Sequence, residues 1–278
     1  DNKERLVGTL STSDMWGENH IELSDIGALE KNKNNAQSLT WTIPADSNGE
    51  VGSLNDYLLW RQIFMAAIAS QRGFIKVTVS DTNGNFLYGV ETYKRWSTVY
   101  CDYSVFTTDG KGGYKYIKWW YFIGTGSLGE NDNPFFANKG WTELRRNDDR
   151  LEVYFKGSHY NFVVPEIKGK KSAKIHITFG AVRDWLLLSH MYLDEFMYQK
   201  DFVSTAKDIP NRYPIGSTIV INSEEDTIMV DGINKFGDRV HGSSWITLPP
   251  GKSQLEIYTS SWVKKKPTVS VKFEERWL

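Results

Sequence analysis

The stretch FIKVTVSDTNGNFLYGVETYKRW, Phe74 to Trp96, decides the fold class. Phe74 to Asp81 and Asn85 to Trp96 are strand-like runs in which apolar and polar residues alternate, the two-residue period of a half-buried strand. Between them lies Thr82-Asn83-Gly84, and Asn-Gly readily adopts the positive φ angles of a tight hairpin turn. The spacing predicts two antiparallel strands joined by that turn.

Working outward, the same pattern recurs along the chain. SLTWTIP (Ser38 to Pro44) sets Leu39, Trp41 and Ile43 on one face and stops at Pro44. TDGKGGYKYIKWWYFIGTG (Thr108 to Gly126) reads as a turn followed by a long strand. Further on, RLEVYFKG, HYNFVVPE, SAKIHITFG, MYLDEFMYQK, TIVINS, DTIMVDG, GSSWITLP, SQLEIYTS and PTVSVKF succeed one another about every ten residues, the spacing of a sandwich or jelly roll. WLLLSHM (Trp185 to Met191) is read as a buried strand. One segment breaks the pattern: SLNDYLLWRQIFMAAIAS offers Ser53 as an N-cap with Asp56 three residues on, and Leu54, Tyr57, Leu58, Phe64, Ala67 and Ile68 at helical spacing. It predicts a helix over 53–70. GTGSLGENDNPFFANKG is rich in Gly, Asn and Pro and predicts a linker. The expected architecture is mainly β. A β-rich domain with one helix spans 1–126, a linker 127–140, and an antiparallel β-sandwich or jelly roll 141–278.

Composition narrows the function classes. Basic residues number 33 against 34 acidic, which gives no field to gather nucleic acid or to press the chain onto an anionic membrane. No apolar run nears the roughly 20 residues of a spanning helix, so no membrane insertion is expected. Cys101 is the single cysteine, so no internal disulfide forms and a reducing cytoplasm is the expected place of synthesis. Asp1 stands where a methionine would, and an element ahead of it is expected.

Motifs that carry chemistry are missing. His20, His159, His176, His190 and His241 share no HxxxH or HxH spacing, and one cysteine assembles no structural zinc set. Asp81 to Thr92 opens like a calcium loop, yet Phe86 replaces the glycine and Thr92 the bidentate glutamate. Asp109 to Gly113 is glycine-rich without phosphate-loop spacing, and no GxSxG elbow occurs. Scattered carboxylates show no pattern that separates a paired acid and base from solvated strand faces. We therefore expect no catalytic residues, no metal and no cofactor.

Aromatics supply the candidate surface. They make up 14% of the chain, and Lys118-Trp119-Trp120-Tyr121-Phe122 alternates so that Trp119 and Tyr121 share one face of a strand and Trp120 and Phe122 the other. Both faces are core only where both are covered. Core, subunit contact and sugar-stacking platform remain open for Trp119, Trp120 and Tyr121.

The C-terminal segment carries a resemblance. IPNRYPIGSTIVINSEEDTIMVDGINKFG, then GSSWITLPPGKSQLEIYTSSW, then TVSVKFEERWL, within Asp208 to Leu278, combine a glycine before an alternating strand, an acidic turn into a strand ending Asp231-Gly232, the Trp245 to Gly251 segment and a closing Glu-Arg-Trp-Leu. In order and spacing they resemble the C-terminal module of the distal tail proteins of siphophages infecting Gram-positive bacteria. SLTWTIPAD, the helix and the hairpin are similar to the leading domains of baseplate hub proteins. The resemblance implies a galectin-like jelly roll in a phage or prophage tail tip, made in the bacterial host cytoplasm. It implies a ring-forming homo-oligomer, a hexamer among the options, that meets the tail tube and hub proteins and links the tail to the host-adhesion apparatus. The alternative is an adhesion module for cell-wall polysaccharide. Trp245, Phe273 and Trp277 are the expected core of the C-terminal module, with Thr268 to Phe273 as its last strand.

Overall fold

The computed structural model describes residues 4–15, 17–124, 132–136, 140–203, 213–259, 263 and 265–274. The chain divides into two compact units, Asp1–Ala206 and Lys207–Leu278.

The first unit is a sandwich of two seven-stranded sheets. Sheet A runs, edge to edge, β1 (Glu4–Leu6), β4 (Asn34–Thr42), β13 (Lys174–Ala181), β6 (Gly73–Ser80), β7 (Phe86–Lys94), β8 (Tyr100–Thr108) and β9 (Tyr114–Ile123). Sheet B runs β12 (Ser158–Val163), β11 (Arg150–Phe155), β10 (Trp141–Asn147), β5 (Asn55–Met65), β14 (His190–Lys200), β3 (Glu18–Asp25) and β2 (Thr9–Met15). Only β1 with β4 pairs in parallel; the other described ladders of the two sheets are antiparallel. The fold is thus mainly β as expected, and the hairpin opened by Asn83-Gly84 is β6–β7, with Gly84 at φ 84°.

Alternation explains the core. Ile75, Val77 and Val79 of β6, Tyr88 and Val90 of β7 and Cys101, Tyr103 and Val105 of β8 turn inward from sheet A, meeting Leu58, Trp60, Leu144, Val153 and Phe155 from sheet B. Tyr103 stacks on Phe155 with ring centroids 4.8 Å apart, and Trp120 lies 5.2 Å from the same ring. Two aromatic layers thus interlock across the sandwich.

Two expectations are corrected here. The segment read as a helix over 53–70 is the central strand β5, and its buried positions Asp56, Leu58, Trp60, Gln62 and Phe64 follow a period of two. Asp56 and Gln62 are polar residues at inward positions, so the apolar set that remained matched helical spacing. Nor do residues 127–140 separate a pair of domains: β9 before them and β10 after them belong to opposite sheets of one sandwich. The described stretch of this crossover is anchored by two buried residues, with Phe135 in the core and Asn133 Nδ2 donating to the Phe64 carbonyl at 3.0 Å. Gly140 is required by contact, since a Cβ there would sit 1.7 Å from the Gln62 carbonyl oxygen. The sandwich therefore lies in the first unit, and in the segment 185–191, read as a buried strand, residues 185–189 are irregular with one isolated bridge through Leu187, while His190 and Met191 begin β14.

Turn aspartates fix the strand connections. Asp109 Oδ1 accepts the amides of Lys111 and Gly113, both at 2.8 Å, and these bonds hold its carboxyl below the ordinary 3.8. Asp46 is lowered likewise, first by its bond from Lys200 Nζ at 2.6 Å and then by the Glu50 amide. A depressed folded-state pKa contributes stability above the unfolded value, lost as pH falls through the folded one. The melting temperature should therefore hold down to about pH 4 and fall below it, and Asp109→Asn should flatten that fall. A melting series from pH 7 to 2 checks this; an acid limb identical in the variant would contradict it.

In the second unit β15 (Ile219–Asn222), β16 (Thr227–Val230) and β17 (Ile233–Asn234) form an antiparallel sheet. The Asp231-Gly232 turn was legible: both residues have positive φ, 48° and 81°, and Asp231 Oδ1 accepts the Thr218 amide at 2.7 Å. The strands expected at 242–249, 253–260 and 267–273 do not occur among the described residues. Phe273, expected in the core, is 67% exposed, whereas Trp245 is half-buried, 6.3 Å from Phe236 with the Arg239 guanidinium 4.7 Å from its ring. Alternation marks a residue run suited to a sheet face but does not supply a partner strand. Trp277 lies outside the described residues. Among the described residues no helix is long and apolar enough to cross a membrane.

Candidate functional site

The register of β7, β8 and β9 builds an aromatic surface on the outer face of sheet A. Glu91 pairs with Ser104 and Tyr93 with Asp102, while Ser104 pairs with Trp119 and Asp102 with Tyr121. Directly paired residues share a face, so these side chains all point away from the core. Between them Tyr103 pairs with Trp120, and both turn inward. The structure thus divides the three candidates: Trp119 and Tyr121 lie on the open face, and Trp120 stacks inside on Tyr103 and Phe155.

Trp96 and Thr98, on the turn after β7, and Tyr100, at the start of β8, complete a cleft with Asp102 and Tyr121, about 390 Å³ in volume. Trp96, Tyr100, Trp119 and Tyr121 are 52–64% exposed, far more than large aromatics that serve only as packing. The turn is held from beneath by Lys94, fully buried, whose Nζ donates to the carbonyls of Ala69 at 2.7 Å, Trp96 at 2.9 Å and Thr98 at 2.7 Å.

Asp102 joins the cleft lining to a charged network on the same face. Asp102 Oδ2 accepts Arg95 Nε at 3.0 Å, and Arg95 also pairs with Glu91 and lies 3.8 Å over the Tyr93 ring. Glu91 Oε1 further accepts the Tyr116 hydroxyl at 2.8 Å and that of Ser104 at 3.3 Å. Burial pushes the Asp102 carboxyl above its ordinary range against the pull of Arg95. Aromatic walls can cover the C–H face of a planar or ring-shaped ligand, and a guanidinium–carboxylate pair beside them can exchange hydrogen bonds with its polar edge. Sequence reading missed Trp96, Tyr100, Asp102 and Arg95. The available signal was the outward alternation of Tyr100, Asp102 and Ser104.

A second cavity, of about 230 Å³, lies by the bulge of β14 and is lined by residues that include Trp41, His20, Asp194, Glu195 and Phe196. Trp41 stacks on Phe196 at 5.3 Å, and Arg61 forks onto Asp194 with bonds of 2.9 and 2.6 Å. Among the described residues one set has the donor chemistry for a metal ion: Glu143, Glu152 and His159, on sheet B.

Residues 199–277 match the family model for the siphovirus-type tail component, C-terminal domain. The resemblance read from residues 208–278 is thereby borne out. Among solved structures the chain is similar to the CBM2 module of the evolved Dit of Lactobacillus casei BL23 phage J-1. The two are 14% identical over 69% of this chain and 80% of that one, with a TM-score of 0.50. Residues 207–278 make up far less of the chain than that share, so the likeness in fold lies mostly in the first unit. Looser likenesses include a tetrameric galectin from the ball sponge Cinachyrella sp., at 9% identity over 58% of this chain and 97% of that one with a TM-score of 0.34. An alginate lyase from Pseudomonas aeruginosa is 10% identical over 59% of this chain and 73% of that one, with a TM-score of 0.38. No curated protein matches the chain.

Proposed function

We propose that the chain is a non-enzymatic structural component of a phage or prophage tail tip, and that its sandwich unit reads cell-wall glycan on the outer face of sheet A. The observation that carries the glycan reading is the cleft of Trp96, Tyr100 and Tyr121 around Asp102, continued by Trp119 along β9. The tail assignment is supported by the family match over 199–277 and by the fold shared with a module of a phage Dit. In this reading the chain is one copy in a ring that meets the tail tube and hub proteins, and the sandwich unit carries the glycan-reading surface.

A non-catalytic role fits this charged network. Glu91 is 2% exposed and engaged by Arg95, Tyr116 and Ser104, while Asp102 is engaged by Arg95, so the cleft offers no pair of open carboxylates for acid–base cleavage. Co-sedimentation of the full chain with purified Gram-positive cell walls tests the glycan reading. Retention that soluble wall polysaccharide competes away is the expected result. Absence of retention on walls from a panel of hosts would count against glycan reading, and release of reducing sugar would count against the non-enzymatic role. Light scattering tests assembly independently: a chain that stays monomeric both alone and with tail-tube and hub proteins would overturn the ring.

A further inference from the structure

Sheet B carries a second set of side chains that glycan reading leaves unused. Glu143 on β10, Glu152 on β11 and His159 on β12 come from three successive antiparallel strands, whose ladders pair Arg145 with Glu152 and Tyr154 with His159. His159 Nδ1 lies 3.2 Å from Glu143 Oε1 and 3.4 Å from Glu152 Oε1, and one ligand atom from each residue falls within 4.8 Å of the others. A tetrahedral zinc ion with ligands at 2.0–2.1 Å holds neighbouring ligand atoms about 3.3 Å apart. The imidazole nitrogen already stands near that spacing from each carboxylate.

We propose that Glu143, Glu152 and His159 bind one divalent transition-metal ion, zinc foremost, through Glu143 Oε1, Glu152 Oε1 and His159 Nδ1, with solvent in the fourth position. Charge supports this: among the described residues neither carboxylate has a lysine or arginine within ion-pair distance, and the imidazole nitrogen of His159 lies against both. The surroundings support it as well. The Tyr57 hydroxyl donates to Glu143 Oε2 at 2.5 Å, which fixes the carboxylate and leaves Oε1 turned to the site, as contacts behind metal ligands commonly do. His159 packs against Tyr154 at 5.2 Å, and its side chain is 48% exposed, which leaves the site open to an ion from solution. One imidazole with two carboxylates suits zinc, whereas magnesium and calcium favour six or more oxygens. Bound there, the ion would tie the edge strand β12 to β10 and β11.

The full chain, without an affinity tag and stripped by chelator, is titrated with Zn²⁺, Mg²⁺ and Ca²⁺ by calorimetry and thermal unfolding. One Zn²⁺ per chain and a rise in Tm with zinc alone are expected. His159→Ala should weaken zinc binding at least 100-fold, and Tyr57→Phe, which removes only the contact behind the ligand, about tenfold. Circular dichroism confirms that the variants fold. Absence of zinc binding by the native chain, equal binding by His159→Ala, or an equal response to magnesium would each overturn the proposal.

Discussion

Replacing Arg146 with methionine is expected to lower the unfolding free energy of the sandwich by about 3–5 kcal/mol, the range found when one partner of a buried ion pair is removed. Arg146 is 1% exposed on β10. Its Nε donates to the Asp148 carbonyl at 2.8 Å, Nη1 to Ser172 Oγ at 2.9 Å, and Nη2 to the Ile167 carbonyl at 2.8 Å and to that of Lys170. Nη1 also lies 4.0 Å from Asp56 Oδ2, in a pair whose side chains are both fully buried. Asp56 accepts the hydroxyls of Tyr88 at 2.8 Å and Tyr198 at 2.7 Å. The guanidinium therefore joins both sheets to the 165–172 connection. Methionine fills much of the volume but satisfies none of the carbonyls, and Asp56 is left buried without its cation. Arg145→Met, one residue away on the exposed face, should cost under about 0.5 kcal/mol. Urea unfolding of the two variants reads the difference; equal losses would mean that the buried network does not hold the sandwich together.

The second large effect joins stability to the cleft. Lys94→Met should cost about 2–4 kcal/mol, because three backbone carbonyls lose their donor and the turn can return only some of them to water. Two of those carbonyls belong to Trp96 and Thr98, which line the cleft. The variant should therefore bind glycan more weakly even under conditions where it stays folded, since a wall that must be ordered on binding adds an entropic cost. Lys76→Met, on the same sheet face and outside the cleft lining, should leave binding unchanged. A Lys94→Met protein with native stability and native affinity would show that the turn does not depend on its ammonium.

How much of this was legible in the sequence depends on whether the signal was local. Asn83-Gly84 and the alternation around it are local, and the β6–β7 hairpin followed from them. The inward and outward division of Trp119, Trp120 and Tyr121 was likewise readable from strand period alone. β5 was not, because Asp56 and Gln62 point inward into partners far away in sequence: Tyr88, Tyr198 and Thr92. A polar residue on an inward position reads as outward until its partner is known. The cleft was hidden for the same reason, since Trp96, Asp102 and Tyr121 meet only through the ladders of β7, β8 and β9. In the second unit the Asp231-Gly232 turn was readable from residue type, whereas Phe273 was not: its alternating neighbours indicate strand propensity without saying what would pair with it.

The central claim is that the outer face of sheet A, and not the Trp41 cavity by the β14 bulge, reads glycan. The most direct measurement is calorimetric titration of the full chain with the wall polysaccharide that competes in sedimentation. The native chain is compared with Trp96→Ala, Tyr121→Ala and Trp41→Ala. Removing either cleft aromatic should weaken binding roughly tenfold, about 1.4 kcal/mol, and removing both should abolish it, because a few large aromatics carry most of a binding energy. Trp41→Ala should bind as the native chain does. Undiminished affinity in the Trp96→Ala, Tyr121→Ala double variant, or loss confined to Trp41→Ala, would contradict the account.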